Sequence, residues 1–293
     1  MANRLFFTLS AICIASLCMV WSKTAVCEQR GLRQNNSLSS SLSIAKSGAT
    51  PGAEEQYKAL KERIAVEFAG REPKEWGETV TGVRTRLKTS EKVLALTLDA
   101  CGSPKGSGFD ATLIGFLVKE HIPATLFINA RWIDANPALF KMLAENPLFE
   151  IANHGLQHKP ASVSGRSVYG IQGTKDLSGL VDEIEGNARK ITSLTGKRPR
   201  YYRSGTAFYD DVAVAVSHRL GQEVIGFSIL GDAGATYRTD QVKAALLKAV
   251  PGDIVILHMN HPQGDTAAGV IAAVPELKRR GFRFVKMSEY ELQ

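Results

Sequence analysis

From Lys92 onward, short apolar runs alternate with longer stretches in which apolar residues recur every three or four positions. Val93–Leu98 is a nearly continuous apolar run, as expected of a parallel strand covered on both faces. Ala124–Ile128, Phe149–Ala152, Arg200–Arg203, Glu223–Ser228, Asp253–Leu257 and Phe282–Met287 read as further strands. Helices are predicted over Ala111–His121 behind an Asp110 cap, from Asn136-Pro137, and over Lys175–Leu194, closed by Gly196. Others are predicted over Asp210–Leu220 and Asp240–Val250, and a helical stretch from Thr266 is interrupted at Pro275. Upstream, Tyr57, Leu60, Ile64, Ala65 and Phe68 give Glu54–Phe68 the spacing of an amphipathic helix packed outside the main domain. Seven strands separated by helices predict an α/β fold with a parallel sheet, either a closed barrel or an open doubly wound sheet. The first strand is followed by neither a Gly-x-Gly-x-x-Gly turn nor a phosphate-cradling loop, which argues against nucleotide binding.

The N-terminus has a different pattern. After Arg4, Leu5 to Trp21 carries no charge, the form of a secretory signal (residues 1–27) or of a membrane anchor. Residues 28–53 are rich in Ser and Asn and read as a flexible tether. A helical extension at 54–90 and a catalytic domain at 91–293 complete the expected organisation. The domain is expected outside the cytoplasm: periplasmic, extracellular or membrane-anchored. The net charge of +7 is spread along the chain and accompanies no nucleic-acid-binding motif, so no nucleic-acid partner is expected; the charge suits a wall or envelope setting, or plain solubility. Contact with membrane is expected only through an uncleaved N-terminal segment. Cys101 is the one cysteine beyond the N-terminal region, which excludes an internal disulfide framework.

Polar residues with catalytic potential gather at one end of the predicted strands. Asp99 follows the first strand, His154 and His158 the third, and Asp232 the fifth; Arg203 ends the fourth and His258 the sixth. The carboxyl ends of parallel strands are where α/β enzymes build their sites. His154 and His158, with three residues between them, are spaced to reach one metal ion. Asp110 reads as a helix cap before a ligand, and Cys101 as a packed residue beneath the site before a soft ligand. His261 lies in a loop beyond His258, while His121 and His218 fall in predicted helices. Trp76 and Trp132 suit sugar stacking and core packing equally.

Thr97-Leu98-Asp99, His154-x-x-x-His158, Arg198-Pro199-Arg200-Tyr201-Tyr202-Arg203 and Ile256-Leu257-His258 occur in an order that resembles the polysaccharide deacetylases, carbohydrate esterase family four. The resemblance spans roughly residues 91–292. It implies a distorted (β/α) barrel of about seven parallel strands that removes N-acetyl groups from an amino-sugar polymer. It further implies a divalent metal, zinc or else cobalt or nickel, on His154 and His158. Asp99 is then the catalytic base, Arg203 its brace, His258 the general acid and Asp232 the residue orienting it. The sequence departs from the family where Asp99 is followed by Ala100-Cys101-Gly102 instead of Asp-Gly, so one metal carboxylate is missing. Asp99 is expected to double as base and ligand. Gly205-Thr206 likewise stands where Pro-Tyr is common. An O-acetyl polysaccharide esterase and a catalytically inactive glycan-binding barrel are the alternatives.

Overall fold

A computed structural model describes residues 51–293; the expected export segment and nearly all of the tether lie outside the described residues. Helix α1 (Pro51–Glu67) and the two-residue strand β1 (Trp76–Gly77) precede the first long strand, β2 (Val93–Ala100). Next come α2 (Ala111–Lys119), β3 (Ala124–Ile128), α3 (Ala130–Ala135), α4 (Pro137–Glu145) and β4 (Phe149–Asn153). A small hairpin, β5 (Ser167–Val168) and β6 (Ile171–Gln172), leads to α5 (Leu177–Thr195) and β7 (Tyr201–Tyr202). The chain continues through β8 (Tyr209–Asp210), α6 (Asp211–Arg219), β9 (Glu223–Val224), β10 (Ile229–Leu230) and α7 (Thr239–Leu246). It closes with β11 (Asp253–His258), α8 (Thr266–Arg279) and β12 (Arg283–Phe284).

The main sheet is parallel throughout, in the order β10-β11-β2-β3-β4-β7-β9, with β12 against the start of β2. Seven strands curl into the expected distorted barrel. No ladder joins β9 to β10 among the described residues, so it stays open along that seam. The described residues form one compact unit, with α1 packed on α5. No described helix is long and apolar enough to cross a membrane.

Strand β2 is buried along its whole length, and its two faces do different work. Successive side chains on a strand point to opposite sides. Leu94, Leu96, Leu98 and Ala100 pack outward with Leu113 and Leu117 of α2 and Val270, Val274 and Leu277 of α8. Val93 and Ala95 point into the barrel among Phe127, Ala152, Tyr201 and Ile254. The inward row continues upward as Thr97 and Asp99. The apolar lower barrel thus becomes a polar upper end where the site begins.

Several elements differ from the sequence expectation. Glu223–Ser228 is not one strand; β9 ends at Val224, and β10 begins at Ile229 on the opposite edge of the sheet. The carbonyls of Ile225 and Gly226, free to continue a ladder, are taken by the Arg203 guanidinium instead. Helix α8 runs through Pro275 without a break. A proline removes only one helical N–H, and the burial of Val270, Ala273, Val274 and Leu277 holds both sides of it together. His121 lies beyond the end of α2, at a positive φ of 53°. The short helix α3 had no clear signature in the sequence.

Candidate functional site

Sheet register assembles the site. β11 pairs with β2 so that His258 lies opposite Asp99. β4 pairs with β7 through Asn153 and Tyr202, and the next residues, His154 and Arg203, emerge side by side. All six residues expected from the sequence meet at this end of the barrel.

Arg203 is fully buried and has a partner in every direction. Its Nη1 donates to Asp99 Oδ1 at 2.8 Å and to the Thr97 hydroxyl at 2.9 Å, while Nε and Nη2 donate to the carbonyls of Ile225 and Gly226. Its guanidinium also stacks on Phe127, 4.1 Å from the ring centre. One oxygen of Asp99 is thus fixed by a permanent cation, and the other, Oδ2, stands 3.6 Å from His154 Nε2.

His258 is oriented by Asp232, which is completely buried. Asp232 Oδ1 lies 2.9 Å from His258 Nδ1, and Oδ2 accepts from the His258 backbone N–H at 2.7 Å and the Thr266 hydroxyl at 2.9 Å. A carboxylate accepts, so Nδ1 carries the proton and Nε2 is left to work in the cleft. Burial alone would lower the pKa of His258, but the Asp232 carboxylate outweighs it and holds the value well above that of an ordinary imidazole.

The loop from His154 to His158 is fastened by residues that sequence reasoning missed. Asn129, which follows β3, donates from its side chain to the carbonyls of His154 and Gly155 at 2.9 and 2.7 Å. Asn153 Oδ1 accepts the Gly155 N–H at 2.9 Å. Glu183, on the buried face of α5, takes the N–H groups of Gln157 and Lys159 on its carboxylate. Burial pushes the Glu183 pKa upward even so. The only sequence signals were polar residues at strand ends and polar residues, Glu183 among them, within the buried face of α5. His158 sits at φ 62°, unusual for a residue with a side chain. Its backbone also presses on Gly205, where an added Cβ would lie 2.3 Å from the His158 carbonyl carbon. That contact accounts for glycine at position 205.

Gly155 adopts φ +78°, and a Cβ there would lie 2.3 Å from Glu183 Oε1, an atom held by two backbone N–H groups. Gly155→Ala is therefore expected to cost about 1–3 kcal/mol of stability and to displace His158. Thermal denaturation together with metal content checks both effects.

The side chains of Cys101, His154 and His158 offer donor atoms that all lie within 4.8 Å of one another. His154 Nδ1 is 3.0 Å from the Arg203 carbonyl, which leaves Nε2 as a free lone pair aimed inward, 3.8 Å from Cys101 Sγ. The two imidazoles meet edge to face, 4.9 Å between centres. His158 Nε2 is buried with no hydrogen-bond partner. A buried orphan nitrogen in a set of nitrogen and sulfur donors fits a first-row divalent ion. Burial raises the pKa of the Cys101 thiol, but His158, His154 and His258 around it outweigh this and bring it well below the ordinary value. Asp110 caps α2 by accepting the Leu113 N–H and lies outside this group.

Cys101, Arg131, Gln157, His158, Ile171, His258 and His261 line a cleft of about 450 Å³ over these groups. Arg131, Gln157 and Ile171 also line a neighbouring trough of about 710 Å³ that reaches Lys159 and the β5–β6 hairpin. Trp132 is buried and donates to the Gly108 carbonyl, so it belongs to the core. Trp76 is partly exposed and packs with Phe208 and Arg166, next to the exposed Tyr169.

The family model described as polysaccharide deacetylase matches residues 86–225. A peptidoglycan-N-acetylglucosamine deacetylase of Bacillus cereus is 26% identical over 211 residues, 71% of this chain and 92% of that protein. A chitooligosaccharide deacetylase of Bradyrhizobium is 25% identical over 185 residues, 58% of this chain and 78% of that one. Among solved structures, a family 4 carbohydrate esterase of Bacillus subtilis superposes with a TM-score of 0.58 at 20% identity, covering 80% of this chain and 88% of that chain. A family 4 pseudoenzyme of Bacillus anthracis superposes equally well, at 0.58 and 20% identity over 70% of this chain and 67% of that chain. The sequence matches support a polysaccharide deacetylase domain, and the structural ones show its fold.

Proposed function

We propose that this chain is an exported, metal-dependent hydrolase that removes N-acetyl groups from an amino-sugar polymer of the chitooligosaccharide or peptidoglycan kind. The observation that carries the reading is a cleft lined by His258, an imidazole held by a carboxylate, and by His158, with His154 and the arginine-held carboxylate Asp99 buried against them; Asp99 lies opposite His258 in the sheet. The names of the relatives point to N-acetylated glycans, and the uncharged Leu5–Trp21 run supports export.

His154 and His158 would hold the ion, with a third donor from β2 or the residue after it. When bound, a divalent cation polarises the acetyl carbonyl and makes water more acidic. Asp99 takes the proton from the attacking water on Oδ2, the oxygen that Arg203 does not hold. His258 delivers a proton from Nε2 to the leaving amine, and Asp232 keeps the ring aimed while stabilising its cationic form. A carboxylate and an imidazole thereby divide the base and acid roles. The trough beside the cleft, lined by Arg131, Lys159, Asp134 and Gln157, gives a polymer room and polar partners to lie across the site.

One experiment tests the reading: acetate release from chitooligosaccharide and peptidoglycan, with acetylated xylan in parallel. Release from the N-acetyl substrates is expected, to be abolished by a chelator and restored by zinc, cobalt or nickel. Release from xylan alone would favour the O-acetyl esterase. Tight glycan binding without release would favour an inactive barrel, a reading motivated by the alanine at position 100.

A further inference from the structure

The carboxylate that the deacetylase family places after Asp99 is absent, and strand geometry shows what stands in its place. Along β2, Leu96, Leu98 and Ala100 face outward into the helix-covered core, whereas Thr97 and Asp99 face the barrel interior. Ala100 is fully buried and paired in register with Ile128 of β3, its carbonyl accepting the Asn129 N–H. Its side chain therefore points away from the histidines. The alternation brings the next side chain, Cys101, back to the site. Gly102 fixes it there: its φ is +70°, and an added Cβ would lie 2.3 Å from the Trp132 backbone nitrogen.

We infer that Cys101 is the third protein ligand of the metal, a thiolate in place of the missing carboxylate, and that Asp99 is left free as the base. The inference rests on the metal-dependent reading above. Donors around a tetrahedral zinc stand about 3.5 Å apart, and Cys101 Sγ is 3.8 Å from His154 Nε2, so a small contraction closes the site. The competing ligand, Asp99, has one oxygen committed to Arg203; its other oxygen lies 3.6 Å from His154 Nε2, but Asp99 does not join the three donors that lie within 4.8 Å of one another. Three protein ligands below an open cleft leave a fourth position for water or the acetyl oxygen, the arrangement of catalytic zinc sites. A Cys-His-His set also predicts a bias toward zinc and cobalt over harder ions such as magnesium or manganese.

The test uses the full chain, freed of metal and titrated with cobalt(II) while its near-ultraviolet absorption is followed. Wild-type protein is expected to bind one equivalent and to develop an intense sulfur-to-cobalt charge-transfer band. Cys101→Ser should lose the band and at least about tenfold in affinity, because ligand loss exceeds the 10–100-fold effects of changes around ligands. Asp99→Asn should keep both band and affinity, and the other cysteines, Cys13, Cys18 and Cys27, remain in every variant as an internal control. Ala100→Asp added to Cys101→Ser should not recover the affinity, because position 100 faces the core. Cobalt binding without the band, or a Cys101→Ser variant of undiminished affinity, overturns the thiolate and leaves the metal-dependent reading standing. Failure of wild-type protein to bind cobalt or zinc at all removes both. Metal-free protein that still releases acetate and is inactivated by alkylation of Cys101 would instead make this cysteine a nucleophile beside His258.

Discussion

Arg203→Ala is expected to destabilise the protein by about 3–5 kcal/mol, the cost of breaking a buried ion pair by removing one partner. The change deletes the cation beside Asp99, which is only 2% exposed, and leaves that carboxylate buried with no counter-charge. It also strips the Gly226 carbonyl of its side-chain donor and leaves the Ile225 carbonyl with the Tyr209 hydroxyl alone, at the place where the chain leaves one edge of the sheet for the other. Urea unfolding followed by circular dichroism measures the loss. Arg203→Lys should recover only part of it, because a single ammonium cannot reach Asp99, Thr97 and two carbonyls at once. A loss below 1 kcal/mol for Arg203→Ala would mean that water or a nearby cation takes over the pairing, and that Arg203 matters less to the site than its contacts indicate.

Most of this architecture was legible in the sequence because its signal is local. β3 spans the expected residues, and β2, β4 and β11 were placed to within two residues by their apolar runs. Asp110 and Gly196 perform the capping roles their residue types suggest. The catalytic-type side chains were legible for the same reason, since strand ends converge wherever strands run parallel. What escaped was nonlocal. Two-residue strands such as β9 and β10 carry no periodicity, and the segment between them gives its Ile225 and Gly226 carbonyls to Arg203, far away in the sequence. Asn129 and Glu183 fasten the histidine loop across 24 to 26 residues of sequence, a pairing that no local pattern specifies. Cys101 is a different case. The alternation Thr97, Asp99, Cys101 was present in the sequence, but a lone cysteine reads as apolar packing until the strand's faces are assigned. The structure turns it toward two histidines instead.

The same alternation sets the expectation for Asp99→Asn. Turnover should fall by roughly 10²–10⁴-fold, the usual contribution of a positioned general base. The fold should survive, because an asparagine carbonyl can still accept the Arg203 Nη1 donor that Asp99 Oδ1 accepts now at 2.8 Å. Metal occupancy separates the two roles assigned to this residue. If Asp99 were both base and ligand, the variant would lose metal together with turnover. With Cys101 completing the site, zinc content stays near one equivalent and the loss is confined to the chemical step. Single-turnover acetate release, measured beside elemental analysis of the same preparation, reads both quantities. Restored turnover with added formate or acetate, small carboxylates able to enter the cleft of about 450 Å³, would confirm that only the proton acceptor is missing. Zinc lost in parallel with turnover would return Asp99 to the metal and Cys101 to the packing beneath it.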